Sequence, residues 1–292
     1  MCGDAFEPCP GTARRCGCGE PPSHGVETGC LGDLGAMTNT PEVEAERFRE
    51  MVRLRTAFAE SQGASVGRRL FVLQRSMAVF EGNAGDLLAI LDPLARDDEH
   101  TLVSQLLSQR GELHRFLLSL DRPLHNFLAS IRSLVEHTRR ATQYLLPAGS
   151  AERVEYDKSV TALFEKSPEV QFLEGLRNFV LHYELPPTGA NFVMAPANQR
   201  SQSVHLDAAA LLGSGHEWKP LARTYLKAGA DTIDIRELVR RYAAAVHSFH
   251  EWLRQAVESA NRAVLDAIRP DLLRYRELKG PHDPIVDVVL GS

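Results

Sequence analysis

Residues 167–187 read Ser167-Pro-Glu-Val-Gln-Phe-Leu-Glu-Gly-Leu-Arg-Asn-Phe-Val-Leu-His-Tyr-Glu-Leu-Pro-Pro187. Ser167 is a helix-capping residue, Pro168 suits the first helical position, and Glu169 puts a negative charge at the positive end of the dipole. Pro186 and Pro187 cannot continue a helix. Between these signals Phe172, Leu176, Phe179 and Tyr183 recur at gaps of four and three, flanked by Leu173 and Val180. The spacing predicts one helix to about Tyr183 with that face buried. Glu174, Asn178 and His182, four apart, form a polar row beside it. Arg177 stands one turn from Glu174, so a structural reading pairs the two and has His182, half-buried at the helix end, bond a carbonyl. Arg177 and His182 are five apart, about 140° around an ideal helix. They address one target if the helix bends, or if a second subunit supplies the facing surface.

The same periodicity extends in both directions. Thr40-Pro41-Glu42 starts a helix that runs to about Ser61. Leu70, Leu73, Met77 and Phe80 predict a second from Val66, broken at Gly82-Asn83, with a short helix to Leu91. Asp97-Asp98-Glu99 opens a helix carrying Leu102, Leu106, Leu113 and Phe116. Asp121 and Pro123 then start another, with Leu124, Phe127, Leu128, Ile131 and Leu134. So short a turn between them predicts antiparallel packing. A polar helix follows over Ser150–Lys166. Residues 190–215 change character: Asn191–Met194 and Ser203–Leu206 are β-prone runs that predict a small hairpin. Helix returns near Glu217–Lys227. Asp234 caps the last long helix, which Pro270 kinks or ends, with a short piece to Lys279. The fold class expected is therefore all-α in the main, a helical bundle with a small β-hairpin insertion. The expected divisions are a tail over 1–36, N-terminal helices over 37–100, the bundle with its hairpin near 190–210 over 101–280, and a C-terminal tail over 281–292.

Composition sets bounds on function. The chain has 292 residues, 43% hydrophobic and 24% charged, enough for a sizeable core. A net charge of −5 excludes a globally basic nucleic-acid binder but leaves room for a local basic patch. No apolar run approaches the roughly 18 residues of a membrane span, and no apolar leader opens the chain. Both observations predict a cytoplasmic protein without a membrane partner. Cys2, Cys9, Cys16, Cys18 and Cys30 all fall in the first 30 residues. Cys16 and Cys18 with Cys9, Cys30 or His24 number enough for a zinc site, but the spacing matches no paired pattern. The favoured reading is a disordered Gly/Pro-rich tail, or translation starting at Met37.

Arg177-Asn178, three further residues and then His182 resemble the motif of HEPN domains. These are helical bundles that often act as metal-independent ribonucleases or toxins. The resemblance covers about residues 101–186, with the last long helix as an extension. It implies a homodimer in which two motifs line one cleft, RNA as substrate or ligand, and a defence or toxin–antitoxin setting with an antitoxin or other protein partner. It also implies catalytic roles for Arg177, Asn178 and His182. The chemistry is coherent. An imidazole takes the 2′-hydroxyl proton near neutral pH, and a guanidinium fork stabilises the phosphorane. Asn178 orients the imidazole or binds a phosphate oxygen. Glu174, Asn126 and His137 are the supporting candidates.

Asn126, Ser130, Ser133, His137 and Arg140 recur at helical spacing. They form either a solvated face or a second lining of the cleft that holds His182. His247, His250 and Glu251 have the spacing of metal ligands but lack the His-Glu-x-x-His order, so they read as ordinary surface or core residues. No glycine phosphate loop or nucleophile elbow is present, and no cofactor or metal is expected. The alternative to a ribonuclease is an inert helical scaffold for protein–protein interaction.

Overall fold

The structure, a computed structural model, describes residues 40–95, 110–194, 200–229, 231–280 and 283–291. The expectations for the cysteine-bearing residues 1–36, for the start at Met37 and for a helix opening at Asp97–Glu99 lie outside these residues.

Helices α1 (Pro41–Glu60) and α2 (Gln62–Leu91) meet at Ser61, whose hydroxyl accepts the Ala64 N–H at 3.1 Å. The expected break at Gly82-Asn83 is absent, because the buried stripe Phe80, Ala84, Leu87 and Leu91 keeps its spacing straight through it. Gly82 lies on the exposed face, and the Asn83 amide donates back to the Val79 carbonyl at 2.8 Å. A glycine costs a helix roughly 1 kcal/mol, which that continuous burial offsets. Helix α3 (Arg110–Leu145) corrects a second expectation. The two antiparallel helices predicted around Pro123 are one helix with the proline inside it. Leu120, Leu124, Phe127 and Leu128 bury one uninterrupted stripe across the proline, which outweighs the hydrogen bond it forfeits.

After Gly149, at φ 79°, α4 (Ala151–Val160) continues into a π turn at Thr161–Glu165. Helix α5 (Pro168–His182) begins under the Ser167 cap, with the Val170 N–H at 3.4 Å from its hydroxyl. The insertion is larger than a hairpin. Strands β1 (Thr188–Met194) and β2 (Arg200–Asp207) pair antiparallel, Asn191 opposite Ser203. A third strand, β3 (Thr232–Asp234), joins β2 with Ile233 opposite Leu206. Three residues carry no readable alternation, so sequence periodicity passes over β3. Between β2 and β3 lie α6 (Ala208–Gly213) and α7 (Pro220–Ala228).

Asp234 closes β3 and caps α8 (Ile235–Ala260), its carboxylate accepting the Glu237 N–H at 2.9 Å. Pro270 neither ends nor starts a helix, since α9 (Arg262–Lys279) contains it. The break falls at Asn261, whose amide donates to the Leu145 and Val257 carbonyls, each at 2.8 Å. The expected C-terminal tail is in part a helix, α10 (Pro284–Leu290). It is capped by Asp283 and buries Val286 and Val289. It sits on Gly67 of α2, where a Cβ would stand 2.7 Å from Val289.

Two hydrophobic clusters result. The first gathers Phe80, Phe127, Phe172, Phe179, Trp218 and Tyr242. The second holds Leu70, Leu145, Tyr156, Phe249, Leu253 and Leu272. Helices α2, α3 and α8 contribute to both and act as the spine. No helix among the described residues is long and apolar enough to cross a membrane.

Candidate functional site

Helix α5 is fixed from both ends. Phe172, Leu176 and Phe179 are fully buried, and Gly175 lets the Trp218 ring lie where a Cβ would be only 2.9 Å away. Arg241 of α8 donates to Glu169 in the first turn of α5 at 2.9 Å. At the other end the Tyr183 hydroxyl donates to the Ser214 carbonyl at 2.5 Å. Tyr183, expected on the buried face, is exposed, its ring set against Phe179 and His216.

The polar side chains of α5 depart from the structural reading. Glu174 does not pair with Arg177. Lys219 takes it instead, at 2.7 Å across the α5–α7 contact. Arg177 is left half-buried with one partner among the described residues, Oδ1 of Asn178, to which Nη1 donates at 2.7 Å. Its Nε–H is buried without an acceptor. His182 is exposed in the last turn and makes no hydrogen bond or ion pair among the described residues. The helix carries an uninterrupted α-helical run through His182, so no bend turns Arg177 and His182 to one side. Instead Arg177 reaches toward Asn178, and Asn178 shares a face with His182 one turn on.

Arg177 also lines a cleft of about 510 Å³ between α3, α4 with its π turn, α5 and α8. Tyr156, Phe164, Phe249, Leu134 and Val246 supply apolar surface. Four guanidinium groups surround it: Arg132, Arg139, Arg153 and Arg177. Three are paired within their own helices. Arg132 and Arg139 share Glu136 at 2.7 and 2.9 Å, and Arg153 meets Asp157 at 3.2 Å. The hydrogen bond from Arg139, with the charge of Arg132 beside it, holds the Glu136 carboxyl below its usual range. Arg177 alone of the four has no carboxylate partner among the described residues. Asp157, Glu165 and Glu174 reach the cleft as well.

Neither Asn126 nor His137 is in this lining. Asn126 is exposed, and His137 bonds the Ser76 hydroxyl at 2.7 Å on the α2 side of α3. Nor is the expected polar stripe one face, since Ser130 is buried and bonds back to the Phe127 carbonyl. The cleft takes the neighbouring face of α3, Ile131 to Gln143. His182 is not among the lining residues.

His247 and His250 separate. His247 meets Glu81 at 3.0 Å, whereas His250 lies on the cleft wall, 3.4 Å from the Thr138 hydroxyl. No group of three or more His, Cys, Asp or Glu among the described residues is placed to hold a metal, which removes the reading of His247, His250 and Glu251 as ligands. Burial, aided by the nearby His247, pushes the His250 imidazole down to about 4. The folded state therefore resists a proton that the unfolded chain accepts near pH 6.5. Stability is complete above that pH and falls as the pH drops toward 4, by up to about 3 kcal/mol for a shift of this size. Urea unfolding at pH 7.0 and 4.5 checks this. Wild type is expected to lose more stability than His250→Leu, and equal losses would remove the assignment.

The residues of the cleft were only partly readable. Arg132-Glu136-Arg139 and Arg153-Asp157 stand at ion-pair spacings, but nothing in their local pattern brings α3, α4, α5 and α8 together. No protein-family model, curated protein or solved structure matches the chain.

Proposed function

We propose that the protein is a metal-independent endoribonuclease acting on single-stranded RNA, with Arg177 holding the scissile phosphate and His182 taking the 2′-hydroxyl proton. The observation that carries this reading is the state of Arg177. Its neighbour Glu174 is committed to Lys219, its guanidinium is steadied by Asn178, and its Nε–H is unspent. A cation kept half-buried without a counter-ion is costly unless an anion arrives to meet it. His182, open and unengaged on the Asn178 face, supplies the second group.

The reaction is a transesterification. The 2′-oxygen attacks phosphorus as its proton passes to the His182 ring, and the bond to the 5′-oxygen breaks. That oxygen takes a proton from water, leaving a 2′,3′-cyclic phosphate and a 5′-hydroxyl. Arg177 stabilises the charge that builds on the non-bridging oxygens. With Arg177 and His182 set around a straight helix, pairing of two copies of the chain provides the facing surface, and RNA lies between them.

The test uses the full chain and an end-labelled single-stranded RNA in EDTA. Cleavage with cyclic-phosphate ends at undiminished rate is expected. Cleavage abolished by EDTA would point to metal chemistry and overturn the reading. Folded protein that neither cuts nor binds the RNA would leave the scaffold in its place.

A further inference from the structure

We propose that the cleft between α3, α4, α5 and α8 binds a small apolar monocarboxylate, with its head on Arg177 and its body against the aromatic wall. A volume of about 510 Å³ lies within the range of small-molecule sites. Its surface is mostly apolar, as in such sites, with charged side chains around it. Tyr156, Phe164 and Phe249 offer rings to a hydrocarbon or aryl body, and Phe164 packs edge-on against Phe249 at 5.1 Å.

Charge selects the head group. Three of the four guanidinium groups around the cleft pair with two carboxylates, Arg132 and Arg139 sharing Glu136 and Arg153 meeting Asp157. Arg177 has no carboxylate partner among the described residues and its buried Nε–H has no acceptor; with Glu165 counted beside Glu136 and Asp157, and Glu174 committed to Lys219, the four guanidinium groups carry an excess of one positive charge. A planar carboxylate matches the guanidinium fork and brings one negative charge. A phosphate monoester brings nearly two and would face Asp157 and Glu165 with the excess. His250 stays neutral well below pH 7 and adds no further cation.

Because the same guanidinium is assigned to RNA, an occupied cleft withholds it. This regulatory consequence rests on the ribonuclease reading, whereas binding of the carboxylate does not.

Isothermal titration of the full chain with decanoate, a body of about ten carbons suited to a pocket of this size, tests the proposal. Decanol and decyl phosphate serve as controls. Saturable one-to-one binding of decanoate is expected, at least tenfold tighter than either control. Arg177→Gln, which keeps hydrogen-bonding capacity but loses the charge, should weaken decanoate binding at least tenfold. Arg254→Gln, a paired cation of α8 that does not line the cleft, should leave it within twofold. Val135→Trp narrows the rim from an exposed position and should block binding without unfolding the protein. No binding, equal binding of decanol, tighter binding of decyl phosphate, or insensitivity to Arg177→Gln would each overturn the assignment. Where RNA cleavage is measurable, decanoate should inhibit it with the calorimetric affinity. Saturating decanoate without inhibition would overturn the regulatory consequence and leave the binding site standing. Absence of any cleavage would bear on the ribonuclease reading alone.

Discussion

Replacing Arg177 with alanine is expected to lower the rate of RNA cleavage roughly 10²–10³-fold, the usual cost of losing a donor aimed at a developing oxyanion. The fold should tolerate the change. Among the described residues Arg177 makes one hydrogen bond, to the adjacent Asn178, and no ion pair. Loss of such a bond costs about 1 kcal/mol. Removing a buried Nε–H without an acceptor works in the opposite direction. Thermal unfolding of the variant should therefore stay within a few degrees of wild type while activity falls. Arg177→Lys separates charge from geometry, since it keeps the cation and loses the fork. It should recover a small part of the rate. A destabilisation of several kcal/mol by Arg177→Ala would mark the residue as structural and contradict the assignment.

The second large effect is expected at Trp218. Its indole lies between Phe172 and Phe179, near parallel to both at centroid distances of 5.7 and 5.9 Å. It donates from Nε1 to the Leu211 carbonyl at 3.0 Å and rests on the bare backbone of Gly175. Trp218→Ala should cost about 3–5 kcal/mol, combining lost apolar contact with the cavity left in a rigid setting. Urea unfolding measures it directly. Activity should fall as well, because the indole is the wedge that sets α5, and with it Arg177 and Asn178, against α7. A loss below about 1 kcal/mol would mean that the pocket collapses freely and that α5 is held by other contacts. The reverse change, Gly175→Leu, should be comparably harmful, since the new side chain meets a ring that has no room to move.

Helix α5 was legible because every signal in it is local. A serine cap, a proline at the first turn, an apolar stripe and a terminating Pro-Pro agree with one another, and the observed span Pro168–His182 follows. Pro123 and Gly82-Asn83 misled for the converse reason. Their local preference is to break a helix, but tertiary burial on α2 and α3 overrode it. Strand β3 exists only through its pairing with β2 and has no pattern of its own. The site shows the same division. Arg177, Asn178 and His182 could be singled out from their spacing on one helix. That Glu174 would turn to Lys219, 45 residues further on, was not readable, nor was the cleft assembled from four helices. Both depend on which faces meet, and periodicity fixes only that a face is buried.

The role of His182 as general base is decided by the single-turnover rate of single-stranded RNA cleavage in EDTA by wild type and by His182→Ala, with His137→Ala as control. His182 is exposed and bonds nothing among the described residues, so its replacement leaves packing intact. Wild type is expected to cleave without metal, His182→Ala at a rate lower by roughly 10²–10⁴-fold, as for loss of a general base, and His137→Ala with little change. Cleavage that persists undiminished in His182→Ala would contradict that role.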